Sequence, residues 1–262
     1  MEDIKSKVLK FLNQQWDGTW EGLEQFSSLH QGKGWGGFTI EEEINSCLSL
    51  LDENPKFIID IGANIGLYTQ SLIKKFPDAT YFLFEPSKFN MEILSEKFYY
   101  FNNVHCSSYA LSNDKTTKNL YSDKEGSGLA SLSKRRLDHF NIFMDFVESI
   151  DTIRFDEFLQ FDDVPKIPEY IDYVKIDVEG HEISVLEGFG SLINKVKLVQ
   201  FEFGGCNIDT KTYFQDFWYF FNNKNFSIYI ITPCGAQKIN NYRESLEFFT
   251  TTNYIALNNN LK

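Results

Sequence analysis

Short apolar runs alternate with segments of helical periodicity over most of the chain. The runs are nearly continuous in apolar residues, which is typical of strands covered on both faces. Alternating strands and helices predict an α/β fold with a doubly wound, mostly parallel sheet, and the last runs indicate an antiparallel C-terminal edge. The predicted strands lie at residues 57–61, 80–84, 104–109, 147–153, 171–178, 195–203, 226–231 and 254–257, and the helices between them at residues 67–75, 87–100, 155–161, 183–189 and 214–221.

The residues before the first strand have a different pattern. Residues 2–15 place apolar side chains at helical spacing between lysines, which predicts an amphipathic helix. Residues 16–38 are rich in tryptophan, glycine, serine and glutamine, so turns are expected there. Thr39 precedes a run of glutamates, which indicates a further helix start. We therefore separate an N-terminal helical and aromatic extension, residues 1–54, from a binding domain, residues 55–262.

The stretch from Phe57 to Thr69 combines a buried strand, a glycine-containing turn and a helix start. Gly62 and Gly66 permit a left-handed backbone and the close approach of a ligand. The first N–H groups of the new helix are free to donate hydrogen bonds. This arrangement is typical of a nucleotide-binding turn, and the alternative is a turn that binds no ligand.

The identity of the nucleotide is indicated by the residues around this turn. The dinucleotide fingerprint G-x-G-x-x-G is incomplete, because Asn64 stands where a second glycine is expected. A carboxylate at Asp60 would oppose a pyrophosphate but suits a cationic ligand. S-adenosylmethionine carries a sulfonium and an ammonium group and no phosphate, so it fits better than NAD. Glu85, after the next apolar run, is positioned to accept hydrogen bonds from ribose hydroxyls.

A second charged stretch follows the strand predicted at residues 171–178. If that strand continues, Lys175, Asp177 and Glu179 share one face, and His181 follows them. A buried strand has no structural reason to carry three charges on one face. These residues are therefore candidates for catalysis.

Composition excludes several classes of protein. The net charge of −12 argues against a nucleic-acid partner, because phosphate binding needs a basic face. The four cysteines form no C-x-x-C pair, which is typical of reduced thiols in the cytoplasm. No secretory segment and no apolar run long enough to span a bilayer is present, so we expect a soluble protein.

Four segments resemble the FkbM family of S-adenosylmethionine-dependent methyltransferases. They are IDIGANIGLYT, FEP at 84–86, ALS at 110–112 and VKIDVEGHEISVLEG at 174–188, and the resemblance covers residues 55–257. It implies a class I methyltransferase fold, Rossmann-like, and O-methylation of a hydroxyl of a sugar, glycan or related small molecule. It implies a cofactor site at Asp60, Gly62, Asn64, Gly66, Glu85, Pro86, Ala110, Leu111 and Asp177, with Asp177, Glu179 and His181 facing the reacting methyl group.

Two mechanisms for removing the acceptor proton stay open. His181 is the preferred general base, because its ordinary pKa of about 6.5 leaves it mostly neutral in the cytoplasm. Alternatively, Asp177 and Glu202, with Glu179, hold a divalent cation such as magnesium that activates the hydroxyl.

Some functional alternatives also stay open. The chain could be a cofactor-binding module without catalysis, or it could methylate a hydroxyl that does not belong to a sugar. Trp16, Trp20 and Trp35 either form part of an acceptor pocket, with the extension as its lid, or cap the sheet. The sequence specifies neither the acceptor nor the oligomeric state.

Overall fold

The computed structural model describes residues 3–14, 16, 18–35 and 40–261. In chain order the strands are β1 Phe57–Ile61, β2 Thr80–Phe84, β3 Val104–Ser107, β4 Ala110–Leu111, β5 Thr116–Ser122, β6 Phe146–Ile153, β7 Ile171–Ile176, β8 Val196–Phe203, β9 Phe226–Thr232, β10 Gly235–Lys238 and β11 Thr252–Asn258. The α-helices are α1 Ile4–Gln14, α2 Trp20–His30, α3 Ile40–Leu48, α4 Leu67–Lys75, α5 Lys88–Phe98, α6 Phe155–Phe158, α7 Glu182–Gly188, α8 Cys206–Thr210 and α9 Phe214–Asn222.

The central sheet has eight strands in the order β10-β9-β11-β8-β7-β1-β2-β3. Strands β3, β2, β1, β7 and β8 are parallel neighbours, whereas β11 runs antiparallel between β8 and β9, and β10 pairs antiparallel with β9. The predicted class, a doubly wound and mostly parallel α/β sheet with an antiparallel C-terminal part, is confirmed. The strand order reverses between β1 and β7, so the carboxyl ends of these two strands mark the expected ligand crevice.

Each central strand is buried on both faces. Ile59 and Ile61 of β1 enter one apolar cluster, together with Phe155 and Leu186 from α6 and α7. Ile58, between them in sequence, enters a second cluster on the opposite face. The second cluster is completed by residues of α3, α4 and α5, among them Ile44, Leu72 and Leu94. Helices on both faces explain why the strands read as continuous apolar runs rather than as alternating ones.

The strand predicted at residues 147–153 belongs to a separate sheet. Strand β6 pairs parallel with β4 and antiparallel with β5, so the three strands form a small second sheet. The first residues of β6 alternate between half-buried and exposed, as expected for a strand covered on one face only. Strand β5 was not predicted, because its sequence TTKNLYS is mostly polar.

The N-terminal extension contains more helix than its composition suggests. Helix α1 is present as predicted, but the prediction of turns through residues 16–38 is wrong for Trp20–His30, which form α2. The side chain of Thr19 caps α2 by accepting a hydrogen bond from the N–H of Gly22 (3.0 Å). Phe26 of α2 stacks on Phe11 of α1, with 4.0 Å between ring centroids.

Two remaining predictions for the extension have different outcomes. The helix expected after the glutamate run is α3, while its predicted start, Thr39, lies outside the described residues. Trp20 is 83% exposed, whereas Trp35 packs against the core cluster beneath α3 and α4.

Among the described residues, none of the helices has the length and apolarity needed to cross a bilayer.

Candidate functional site

The turn between β1 and α4 has no space for side chains at its glycines. Gly62 has a φ of +79°, and a Cβ there would lie 1.9 Å from the carbonyl oxygen of Asp177. Gly66 has a φ of +75°, and its Cβ would lie 2.6 Å from the ring of Phe98. Asn64, with a φ of +49°, also adopts the left-handed conformation. The turn therefore brings the backbone of β1 against the segment that follows β7.

Glu85, at the end of β2, is bound to this turn. Its Oε2 accepts a hydrogen bond from the N–H of Asn64 (2.8 Å), and its Oε1 accepts one from the N–H of Ser87 (2.9 Å). Burial raises the pKa of Glu85 to about 7, while these two hydrogen bonds act in the opposite direction. The carboxyl group is thus held in one position beside the glycine turn.

A first crevice opens at the carboxyl ends of β1, β2 and β7, where the strand order reverses. Its wall includes predicted site residues from four separate segments of the chain. They are Gly62, Asn64, Glu85, Pro86, Ala110, Leu111, Asp177, Glu179 and His181. The fold therefore brings together most of the predicted site.

Asp60 and Gly66 lie away from the wall of this crevice. Asp60 is fully buried beneath the turn, where its Oδ2 accepts a hydrogen bond from the hydroxyl of Thr69 (2.6 Å). The ammonium group of Lys175 lies 3.7 Å from the Oδ1 of Asp60 and 3.2 Å from the Oδ2 of Asp177. The charge of Asp60 is thus balanced within the protein, and direct contact of Asp60 with a cofactor stays a prediction.

The segment after β7 is a turn rather than a continuation of the strand. Strand β7 ends at Ile176, Glu179 adopts a φ of +54°, and Gly180 a φ of +103°. Strand alternation therefore does not place Glu179 on the face of Lys175. Glu182, at the start of α7, stabilises the turn because its Oε1 accepts hydrogen bonds from the N–H groups of Val178 (3.2 Å) and Gly180 (3.1 Å).

His181 is the residue that immediately precedes α7, and its ring lines the first crevice. Its Nε2 lies 3.0 Å from the hydroxyl oxygen of Ser133. Burial, and to a smaller extent the charge of Lys118, lowers the pKa of His181 to about 4. The imidazole is therefore neutral at neutral pH, and the same burial makes its protonation less favourable than that of an exposed histidine.

Residues 123–136, here termed the cover loop, lie over the first crevice. Several of them line it, and three make contacts with the turn after β7. The hydroxyl of Ser131 donates to the carbonyl oxygen of Glu179 (2.8 Å), and Ser133 contacts His181. The guanidinium group of Arg135 forms an ion pair with the carboxylate of Glu179. The cover loop therefore forms part of the wall of the first crevice and is bound to the turn after β7.

A sequence model described as the methyltransferase FkbM domain matches residues 60–228, which is more than half of the chain. The chain belongs to the FkbM methyltransferase family. S-adenosylmethionine is the methyl donor of this family. No curated protein matches the sequence at a significant level.

Several solved methyltransferase structures are similar to this FkbM domain. The FkbM methyltransferase of Methylobacillus flagellatus is 15% identical, with a TM-score of 0.46, over 79% of this chain and 45% of that one. An S-adenosylmethionine-dependent methyltransferase of Aquifex aeolicus is 11% identical, with a TM-score of 0.44, over 90% of this chain and 95% of that one. Fibrillarin of Aeropyrum pernix, bound to S-adenosylmethionine, is 12% identical, with a TM-score of 0.42, over 82% of this chain and 74% of that one. The chain thus spans less than half the length of the Methylobacillus protein.

The predicted metal ligands of this FkbM domain fit a divalent cation poorly. Within the described part of the chain, the group with suitable spacing is Glu179, Glu202 and Cys206, whose ligand atoms lie within 4.8 Å of one another, and Asp177 is not part of it. Glu179 is already paired with Arg135. Burial raises the pKa of the Cys206 thiol far above its ordinary value, and magnesium prefers oxygen ligands. A metal ion is therefore not part of the proposed mechanism.

Arg135 is a functional candidate that the sequence did not indicate. The residue lies in a polar loop, far from Glu179 in the chain, and only the fold brings the two together. Burial and the charge of Asp177 raise the pKa of Glu179 to about 8, and Arg135 acts against them. The side chains of Arg135 and Glu179 are 10% and 17% exposed. The ion pair therefore connects the cover loop to the turn in a largely desolvated position.

We expect Arg135→Ala to release the cover loop and to destabilise the protein. Removing one partner of a buried ion pair costs about 3–5 kcal/mol, and the lower value is expected because Glu179 is able to take up a proton. Lys134→Ala is the matched control, since Lys134 pairs with Asp145 in an exposed position (56% and 74%) and should cause no measurable change. Thermal denaturation and limited proteolysis of residues 123–136 measure both effects. Equal stability of the two variants would contradict the role assigned to Arg135.

Proposed function

We propose that this FkbM domain transfers a methyl group from S-adenosylmethionine to a hydroxyl oxygen of a sugar, glycan or related small molecule. One observation supports this function above the others. Residues from the glycine turn, the end of β2, strand β4 and the segment after β7 line one crevice at the reversal of strand order. Open α/β sheets bind their ligands at this position.

The residues of the first crevice fit the methyl donor. Glu85 would accept hydrogen bonds from the ribose hydroxyls, since each of its oxygens has a lone pair beyond those used by Asn64 and Ser87. Pro86, Ala110 and Leu111 offer apolar surface for the adenine ring. The turn at Gly62 and Asn64 and the carboxylate of Asp177 would hold the amino-acid part, whose ammonium group suits Asp177.

The reaction needs alignment of two substrates and removal of one proton. S-adenosylmethionine supplies an electrophilic methyl group on a positively charged sulfur. Asp177 provides negative charge on the wall that His181 shares, whereas Glu179, whose pKa is raised to about 8 by burial, is paired with Arg135. His181 is neutral and accepts the hydroxyl proton on a ring nitrogen, while the cover loop excludes water from the crevice. Positioning of reactants contributes several kcal/mol of the rate acceleration, of the order of 7–11 kcal/mol in well-aligned systems.

We further propose that the enzyme is cytoplasmic and that its partner is a small-molecule or glycan acceptor. The thiols of Cys47, Cys106, Cys206 and Cys234 are all free, which a reducing compartment such as the cytoplasm preserves. The net charge of −12 supports a small-molecule or glycan acceptor rather than a nucleic acid.

Two measurements test this function. Calorimetric titration with S-adenosylhomocysteine is expected to show one site per chain, and incubation with labelled S-adenosylmethionine and a panel of sugars is expected to show base-stable methyl transfer. Binding without transfer to any sugar or other hydroxyl compound would favour a cofactor-binding module. Transfer only to hydroxyls outside sugars would retain the enzyme and change its acceptor class. Absence of S-adenosylhomocysteine binding would reject the proposal.

The affinity for S-adenosylhomocysteine is expected to depend on the ionisation of Glu85. Ribose hydroxyls donate more strongly to a carboxylate than to a carboxylic acid, so affinity should fall as the pH is lowered through about 7, the pKa of Glu85. Glu85→Gln should lower the affinity for S-adenosylhomocysteine about 10- to 100-fold at pH 8. The affinity of this variant should no longer fall as the pH is lowered through about 7. Calorimetry between pH 6 and 8 on both proteins measures this. A parallel pH dependence in the variant would show that another group is responsible.

A further inference from the structure

A second crevice lies on the other side of the glycine turn. It shares Gly62, Asn64 and Asp177 with the first crevice, so the two meet beside the predicted reacting centre. Its far wall is formed by Glu43 of α3 and Glu202 near the end of β8. The N-terminal extension and the C-terminal half of the sheet thus contribute jointly to a cavity that adjoins the residues proposed to hold the amino-acid part of the donor.

Glu202 lines this cavity and is 9% exposed. Its carboxyl group forms no hydrogen bond or ion pair with the residues that the structure describes, and its nearest ionisable neighbours are Glu179 and Cys206, with ligand atoms within 4.8 Å. Burial and the charges of Asp177 and Glu179 raise the pKa of Glu202 well above its ordinary value. An ionised carboxyl group is costly in this position, and on a cavity wall it is open to a ligand that brings a hydrogen-bond donor or a positive charge.

Glu43 is held rigidly on the same wall. Its Oε2 accepts a hydrogen bond from the Nε2 of Gln200 (2.7 Å), a fully buried residue of β8. The Oε1 of Gln200 accepts hydrogen bonds from the hydroxyls of Tyr68 and Tyr173, both at 2.5 Å, which fixes the amide so that its NH₂ group faces Glu43. The other oxygen of Glu43 remains available to a ligand.

The cavity has an excess of carboxyl groups over cations. Of the described residues that line it, Lys175 is the cationic one, and its ammonium group lies between Asp177 (3.2 Å) and Asp60 (3.7 Å). Lys175 forms its ion pairs with these two carboxylates, and its charge also acts on Glu43 and Glu202, so that one ammonium group faces four carboxyl groups. A positively charged group would complement this wall better than a neutral or anionic one.

We propose, on the basis that methyl transfer takes place in the first crevice, that the second crevice binds the acceptor and that the acceptor is an amino sugar or a related polyol with an ammonium group. The carboxylate of Glu202 accepts hydrogen bonds from the ammonium group. Glu43 accepts a hydrogen bond from a hydroxyl through the oxygen that Gln200 does not use. The N-terminal extension acts in acceptor recognition through α3 rather than through its tryptophans.

The test compares amino sugars with neutral sugars of the same ring. The protein is saturated with S-adenosylhomocysteine and titrated calorimetrically with glucosamine, galactosamine and mannosamine, and with glucose, galactose and mannose. We expect an amino sugar to bind at least about tenfold more tightly than its neutral counterpart, the contribution of a hydrogen bond to a charged group. Glu202→Gln should remove this preference, whereas Glu92→Gln, which changes an exposed carboxyl group on α5, should retain it.

Each outcome separates this inference from the function on which it rests. If S-adenosylhomocysteine binds but amino and neutral sugars bind equally, or no amino sugar binds, the acceptor assignment is overturned and the methyltransferase proposal remains. If Glu202→Gln retains the preference for the ammonium group, the assignment of Glu202 is overturned. If S-adenosylhomocysteine does not bind the unmodified protein, the proposed function itself fails.

Discussion

Replacement of Gly62 by alanine is expected to abolish measurable binding of S-adenosylhomocysteine and to destabilise the protein. The new Cβ would lie 1.9 Å from the carbonyl oxygen of Asp177, a backbone atom, so β1 and the segment after β7 must separate. The residue also has a φ of +79°, which costs a side chain about 1–2 kcal/mol, and overpacking adds about 1–3 kcal/mol. The same separation would displace Asn64 and Asp177 from the wall of the first crevice.

Gly235→Ala provides the matched control for this variant. Gly235 has a φ of +95°, but nothing lies within 4 Å of the position of its Cβ. The control therefore carries the conformational cost without the collision, and Gly235 is the first residue of β10, outside the walls of both crevices. Thermal denaturation and calorimetry compare the two proteins. Similar melting temperatures and retained S-adenosylhomocysteine binding would show that the turn tolerates separation of the strands.

The parts of the site that the sequence predicted are those with a local signal. Gly62, Asn64 and Gly66 lie between a predicted strand and the start of a predicted helix, and Glu85 comes directly after the next strand. Because the carboxyl ends of parallel strands meet at one edge, their convergence needs only the order of the elements. The sheet itself was predictable for the same reason, since burial on both faces gives continuous apolar runs.

The parts that were not predicted depend on contacts between distant segments. The pairing of Asp60 with Lys175 joins β1 to β7 and neutralises the charge on which the choice of a cationic donor was based. The docking of the cover loop depends on Ser131, Ser133 and Arg135, and such residues are equally common in free loops. Helix α2 forms in a segment rich in glycine and serine because Thr19 caps it and packing against α1 stabilises it.

Buried carboxyl groups dominate the electrostatics at the ends of these strands. Burial is the largest cause of a pKa raised to about 7 in Glu43, Glu85 and Glu182, and to about 8 in Glu179. Groups of this kind are costly in a protein without ligands, and bound cations or hydroxyl donors offset the cost. The site is thus better suited to a cationic donor and a hydroxyl-rich acceptor than to phosphate-bearing ligands.

His181→Ala is expected to lower turnover about 10²- to 10⁴-fold, the usual contribution of a general base, while the affinity for S-adenosylhomocysteine changes little. Added imidazole should restore part of the rate, because the cavity left by the ring accepts it. Ser133→Ala serves as the control. Its hydroxyl lies 3.0 Å from the His181 Nε2 and orients the ring without taking the proton, so the loss should be smaller.

The pH dependence gives an independent test of the same residue. Since the pKa of His181 is lowered to about 4, its neutral form should persist as the pH falls below the ordinary histidine value of about 6.5, and the rate controlled by His181 should decline only as the pH approaches 4. The free energy of unfolding should depend on pH as well. The neutral ring contributes fully to stability above about pH 6.5, and this contribution is lost as the pH falls towards 4. Single-turnover rates between pH 4.5 and 8, for the unmodified protein and His181→Ala, separate chemistry from binding. Near-normal turnover in the variant would exclude His181 as the base and leave Asp177 or Glu179 to receive the proton.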